Sequence, residues 1–325
     1  MMLFDTYLGS VEQAASVARD AEADGYAGVF TGEVSADPFL PLVAAATSTE
    51  RLQIGTAIAI AFARSPMTVA YTANDLQRVS RGRFILGLGS QVRAHVVRRF
   101  SMPWGQPAEQ MRDFVLALRA IWDSWSSGEP LEVDSTHYRH TLMTPMFVPP
   151  HHEFRPPPIY VAGVGPAMTR IAGQVADGFI CHTFSSPQWI RQCTLPALLE
   201  GRRSAGKTLD GFTVKVSVFC ATGTDEEIDH AVTGIRSQIA FYASTPTYRP
   251  LLELHGWGDL GTDLTKLSKA GDWSTMSSLI SDDVLDAFAV VAPPDKVTTV
   301  VEERYGDFAD RISFVPTSGR LRPWT

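Results

Sequence analysis

Cysteine is scarce in this chain: only Cys181, Cys193 and Cys220 among 325 residues. Their spacing fits neither a disulfide framework nor a metal site, so a reducing, cytoplasmic setting is expected, with no metal. There is no basic leader ahead of an apolar run, which argues against a secretory signal. No apolar stretch is long enough to span a bilayer, so no membrane partner is expected. Positive charge is in deficit, with 28 Lys and Arg against 35 Asp and Glu and a net charge of −7. That balance excludes sequence-independent attraction to nucleic acid, while leaving room for a local basic pocket around an anionic cofactor. Internal repeats and low-complexity tracts are missing too.

What remains is ordinary globular composition, 45% hydrophobic and 19% charged, in which short β-type runs alternate with helical patterns. The spacing predicts strands at Leu3–Tyr7, Gly28–Thr31, Leu52–Ile58, Arg83–Gly89, Ile159–Ala162, Phe179–His182, Thr213–Phe219 and Ile312–Val315. Between them it predicts helices over Val11–Ala23, Pro38–Thr49, Pro66–Val79, Pro107–Trp125, Pro166–Ala176, Pro187–Ser204, Asp225–Tyr242 and Pro294–Tyr305. Ser10 is placed to cap the first helix, Gly25 to end it, and Pro66 to open the third. Met111, Phe114, Val115, Leu118 and Trp122 give the fourth its apolar stripe. Two segments, 129–158 and 244–286, hold no sustained period and read as irregular insertions, the first a lid.

Eight strands separated by helices imply parallel pairing with right-handed crossovers. The count favours a single-domain α/β (β/α)8 TIM barrel over an open doubly wound sheet. Little chain follows the eighth strand, which leaves the outer ring short of its last helix.

Sites in such barrels form where strands end. After strand five, Gly163-Val164-Gly165-Pro166-Ala167-Met168 joins two glycines to a helix start, an arrangement of free amides that suits an anion or merely a tight turn. It lacks the spacing of a dinucleotide or P-loop signature. Strand three ends in small residues, Ala57-Ile58-Ala59, which read either as room for a flat ring or as a packed barrel layer. The glycines of strand four likewise open space, and Ser90 and Gln91 follow as hydrogen-bonding groups. Glu33, ending strand two, is an acid, base or substrate anchor, or an ordinary surface residue.

With these pieces in place the chain resembles the bacterial luciferase-like oxidoreductases, above all the branch using the deazaflavin coenzyme F420. The resemblance rests on Gly-Arg-Phe-Ile-Leu-Gly-Leu-Gly at 82–89, Arg64-Ser65-Pro66, Gly165-Pro166-Ala167, Ala172-Gly173 and Ala176-Asp177-Gly178-Phe179-Ile180, spread over nearly the whole chain. It implies a luciferase-like barrel whose third strand bulges at a cis peptide joining Ala57 and Ile58, with the coenzyme ring there. It places the phosphate on the amides of Gly165 through Met168. Glu33 falls where related sugar-phosphate dehydrogenases carry a histidine, and Ser90 where luciferases carry a phosphate-gripping arginine, which favours F420 over FMN. It makes 129–158 a substrate cover, with His137, Tyr138, His140, His151 and His152 as contacts or simply solvated side chains. Arg93, His95, Arg98 and Arg99 either receive the coenzyme tail or form a solvated helix face. His182, ending strand six, is a candidate catalytic or contact residue, and Cys181 a packed one.

The implied function is an F420-dependent oxidoreductase moving hydride between the deazaflavin and a small organic substrate, with Glu33 or His182 handling the proton. The alternatives are an FMN-dependent luciferase-like monooxygenase and a barrel that binds flavin without turnover. Relatives often pair through helices near strands two and three, which leaves a homodimer as one possible assembly and the oligomeric state undetermined by the sequence.

Overall fold

Strands covered on both faces are built from unbroken apolar runs. A computed structural model gives the fold over residues 2–316, where Gly28–Thr31, Phe84–Gly89 and Gly178–Cys181 are buried at every position. Eight strands make up the barrel: β1 (Leu3–Tyr7), β2 (Gly28–Thr31), β3 (Gln53–Thr56), β4 (Phe84–Gly89), β5 (Ile159–Gly163), β6 (Gly178–Cys181), β7 (Thr213–Ala221) and β8 (Arg311–Pro316). The ladders are parallel, with Asp5 opposite Gly28, Gly28 opposite Gln53, Ile54 opposite Phe84, Leu86 opposite Ile159 and Val216 opposite Ile312. Pairing of β6 with β7 closes the sheet into a (β/α)8 barrel. The expectation that no helix follows β8 concerns residues 317–325, outside the described ones.

The chain divides into two compact units, one of residues 5–180 and 197–213, the other of residues 181–196 and 214–316 with the first strand's start. In the first, the strands' N-terminal ends are tied by charged side chains. Arg83 donates from Nη1 to Leu52 O and Thr49 Oγ1, from Nη2 to Ala46 O and Thr49 O, and from Nε to Ser80 O. One guanidinium thus satisfies the open carbonyls around the end of the Leu40–Ser48 helix. Asp177, before β6, takes an amide instead, accepting from Ile159 N at 2.8 Å and pairing with Arg119 at 3.0 Å. The Gly-Arg and Asp-Gly pieces of the resemblance therefore serve the closed end of the barrel.

Several boundaries differ from the sequence reading. Ser10 sits at the cap position of Val11–Ala23 but makes no capping bond. The second helix starts at Leu40, because Asp37 takes the Phe39 and Leu40 amides. A π-helical stretch, Ile190–Thr194, interrupts the helix expected over 187–204.

The two insertions differ most. Segment 129–158 follows a helix and precedes β5, so it leaves and rejoins the barrel at the end opposite the strands' C-termini. It is strapped along outer helices: His137 Nδ1 to Asp113 at 2.9 Å, Tyr138 Oη to Gln110 at 3.1 Å, Tyr71 Oη to Phe147 O at 2.6 Å, and Gln77 to Arg155 O at 2.7 Å. His152 bonds Asn74 at 3.1 Å, and only His151 of the five aromatic contact candidates is exposed. The spans given a lid's role are mostly fastened to the barrel's flank.

In the second unit, segment 244–286 is not irregular. It folds into the helices Arg249–Leu254, Gly258–Ala270, Trp273–Ser278 and Asp282–Phe288, followed by a short strand, Ala289–Val291, parallel to β7. Their apolar faces share a core with the Asp225–Ala243 helix, from Phe184 and Phe219 to Leu264, Met276 and Phe288. A period spread over short helices with breaks between them is invisible to a long window.

Because Arg83 answers several diverging carbonyls, Arg83→Ala should lower the unfolding free energy by about 3 kcal/mol in urea titrations. Arg83→Lys should recover only a minor part, since one ammonium cannot reach carbonyls that spread apart.

Candidate active site

Between β3 and β4 the ladder slips. Gly55 pairs with Ile85 and Ala59 with Leu88, four steps on one strand against three on the other, so one extra residue bulges at 56–58. The Ala57–Ile58 peptide is cis, at the bond the resemblance indicated. Two glycines of β4 admit the bulge. A Cβ on Gly87 would lie 1.9 Å from the Thr56 carbonyl oxygen, and one on Gly89 2.8 Å from the Ile58 side chain. The space that the glycines of strand four open is filled by the bulge itself. Thr56 then mends the ladder with its side chain, Oγ1 accepting from Gly87 N at 2.9 Å and donating to Gly87 O at 2.7 Å.

On the β2 side, Ala57 N donates to Thr31 O at 2.6 Å and Glu33 N to Ile58 O at 3.0 Å. The Glu33 carboxylate accepts from Ile60 N at 2.7 Å and from Arg64 at 2.6 Å. Arg64 continues to Asp37 at 3.0 Å and lies over the Phe39 ring. With its side chain only 6% exposed, Glu33 is a strut for the bulge. The acid, base or anchor role expected of it meets a carboxylate whose Oε2 is already committed to two donors.

The strut leaves the bulge as the open part of β3: Ala57 and Ile58 are half-buried, whereas Ala59 is fully buried in its ladder and offers nothing to a ligand. Beneath lies an apolar floor of Phe30, Ile85, Tyr160 and Ile180, packed by Tyr7 and Ala162.

β5 runs into the turn Gly163–Met168. The Pro166–Val175 helix starts there with Gly165 as its cap residue, extended at φ −86°, ψ 157°, and its first backbone bond is Thr169 N to Gly165 O at 3.2 Å. Residues before that bond have no helical partner for their amides. Gly163 is needed to clear Met168, whose Cγ would lie 2.8 Å from an added Cβ, but a Cβ on Gly165 would meet nothing within 4 Å. Pro166 and Ala167 are exposed, Val164 is half-buried and Met168 buried. The turn is thus an open cradle of amides that a side chain would fill, and it fits a phosphate group.

Ser90 and Gln91 are engaged with their own turn. Ser90 Oγ donates to Gln91 O at 3.1 Å, and Gln91, at φ +58°, caps Val92 N with Oε1 at 2.9 Å. Arg93, His95 and Arg98 lie on the short helix that follows, and Arg99 donates to Val34 O. No group of three metal-ligating side chains occurs among the described residues, and no helix among them is long and apolar enough to cross a membrane.

In the second unit, His182 follows β6. Its Nδ1 accepts the Phe184 amide at 3.0 Å, and its Nε2 meets Tyr248 Oη at 3.1 Å. Burial pushes its pKa down to about 4, so the ring is neutral near pH 7 and carries no proton to spare. Cys181 is buried, its thiol pushed up to about 12 by desolvation, and is inert packing. Tyr242 lies edge-on to His182 at 4.8 Å and Tyr248 tilted against it at 5.1 Å. The sequence reading missed both tyrosines. Their signal was position: they belong to the connection leaving β7's C-terminal end, on the face where barrel sites form.

Residues 4–311 match the model of the family described as luciferase-like monooxygenase. An uncharacterized protein of Mycobacterium tuberculosis is 48% identical over 301 residues, covering 92% of this chain and 88% of that relative. The 5,10-methylenetetrahydromethanopterin reductase of Methanopyrus kandleri is 25% identical over 81% of this chain and 76% of its own length. The solved structure of the coenzyme F420 dependent tetrahydromethanopterin reductase from Methanopyrus kandleri superposes with a TM-score of 0.80 at 20% identity, over 99% of this chain and 95% of that one.

Glu33→Ala leaves both the Ile60 amide and the Arg64 guanidinium without their acceptor, and should cost about 2–4 kcal/mol in chemical unfolding. Glu33→Gln, which keeps an acceptor for Ile60, should cost distinctly less. Equal losses for the two would show that the strut is not a hydrogen-bonding one.

Proposed function

The chain belongs to the luciferase-like monooxygenase family, and on that premise we propose that it is an oxidoreductase working with coenzyme F420 on a small organic substrate. The observation that carries this reading is the open amide cradle at Gly163–Met168, with unfilled space where a Gly165 side chain would be. Support also comes from relatives whose names state F420 dependence or a reductase activity.

In this reading the amides of Gly165, Ala167 and Met168 hold the phosphate, aided by the positive end of the Pro166–Val175 helix. The half-buried Ala57–Ile58 surface receives the flat ring. The floor of Phe30, Ile85, Tyr160 and Ile180 keeps water from beneath it. Glu33 and Arg64 fix the bulge so that this surface does not yield. When bound, the deazaflavin supplies hydride transfer with little reactivity toward oxygen, because carbon stands where flavin has N5. Neither Glu33, held by Arg64 and Ile60, nor neutral His182 is assigned the proton.

Titration of the purified protein with F420, and separately with FMN, followed by absorbance and fluorescence, tests the reading. F420 should bind at least about tenfold more tightly than FMN, a difference of roughly 1.4 kcal/mol, and the loaded protein should consume no oxygen. Preferential FMN binding with oxygen uptake would establish the monooxygenase instead. Gly165→Asp has an allowed backbone and free space, so it should unfold like the parent yet lose F420 binding, since its carboxylate occupies the cradle. Unchanged affinity in that variant would remove the phosphate from this turn.

A further inference from the structure

We infer that the second unit holds a substrate-recognition group of its own: the Tyr248 hydroxyl, which donates a hydrogen bond to an uncharged acceptor such as a ketone or imine, with His182 as its positioning residue. The argument begins with the imidazole's tautomer. His182 Nδ1 accepts the Phe184 amide at 3.0 Å and so carries no proton. A neutral ring must then hold its proton on Nε2, which faces Tyr248 Oη at 3.1 Å. The phenol oxygen is the acceptor of that bond, and its own proton has to point elsewhere. Among the described residues the Tyr248 hydroxyl has no other hydrogen-bond partner.

The surroundings select the ligand's chemistry. The Tyr242 and Tyr248 rings stand 5.9 Å apart, both packed against His182. Burial raises the pKa of both phenols, the neighbouring Tyr242 adding to the rise at Tyr248. Phenol and imidazole alike are therefore neutral, so an aromatic-walled donor is presented without a cation. A phosphate or carboxylate would gain no counter-charge from it, whereas a carbonyl gains a desolvated donor. Both residues belong to connections that leave strand C-termini, the side of the fold that binds substrates. The competing account is that the His182–Tyr248 bond only tethers the helical insertion.

This inference rests on the oxidoreductase reading for the meaning of "substrate", but its test needs no coenzyme. In the full chain, nitrogen-15 NMR of the histidines should show His182 as the Nε2–H tautomer from about pH 8 to about pH 5. Acetophenone then serves as probe, against ethylbenzene, which lacks the carbonyl oxygen, and benzoate, which is charged. Acetophenone should bind and perturb the His182 signals, and Tyr248→Phe should weaken it about fivefold while leaving ethylbenzene unchanged. His182→Phe should weaken acetophenone equally, and His182→Gln, whose amide can still donate to Tyr248, should restore most of the affinity. Failure of acetophenone to bind, an unchanged affinity in Tyr248→Phe, or tighter binding of benzoate would each overturn the proposal. F420 binding alongside flat ketone results would sink this inference alone. Ketone recognition without F420 binding would sink the coenzyme reading and leave this one standing.

Discussion

Thr56 and Gly87 exchange two hydrogen bonds at the point where β3 leaves its register, and the open face of the first unit depends on that exchange. A bulge normally leaves backbone groups unpaired, and an unpaired group in a buried sheet costs as much as a lost hydrogen bond. Here the threonine hydroxyl substitutes for the missing ladder partner. Gly87 allows it, because a methyl there would collide with the Thr56 carbonyl. From the other side Thr31 and Glu33 take up the amide and carbonyl groups of residues 57, 58 and 60. The bulge is therefore hydrogen-bonded along its rim and open at Ala57 and Ile58. What remains is the half-buried backbone surface at Ala57 and Ile58, where the proposed reading seats a flat ring.

Charge is used sparingly around these groups. Glu33 with Arg64, and Arg83 with its carbonyls, hold backbone in place. The groups to which the proposed readings give a ligand are amides in the first unit and a phenol beside a neutral imidazole in the second. Such groups recognise shape and hydrogen-bonding direction more than charge, which suits a phosphate at a helix start and an uncharged acceptor elsewhere. His182 illustrates the point: its buried position at a strand end makes it look like a proton carrier, but two hydrogen bonds fix it as a neutral spacer.

Connectivity explains why two insertions of similar irregularity in sequence have different uses. Segment 129–158 links a helix to the next strand and so returns to the closed end of the barrel, and its polar side chains are engaged along the flanks. Segment 244–286 lies between β7 and the next barrel helix, on the side of strand C-termini, and builds a helical core of its own. In a barrel, position in the strand–helix cycle is a better guide to a loop's role than its content of histidine or tyrosine.

The eight strands, most helices and the glycine turn after β5 were legible in the amino-acid order, because apolar period, proline at helix starts and glycine at turns act over a few residues. So was the place of the cis bond, through resemblance. Local pattern determined those features. It did not determine what each polar side chain would bind, since the partners of Glu33, Arg83 and His182 include groups 27 to 66 residues away in sequence. Nor did it show that Gly87 and Gly89 make room for protein and not for a ligand. Those outcomes rest on contacts between distant segments, and only folding brings such segments to within hydrogen-bonding range.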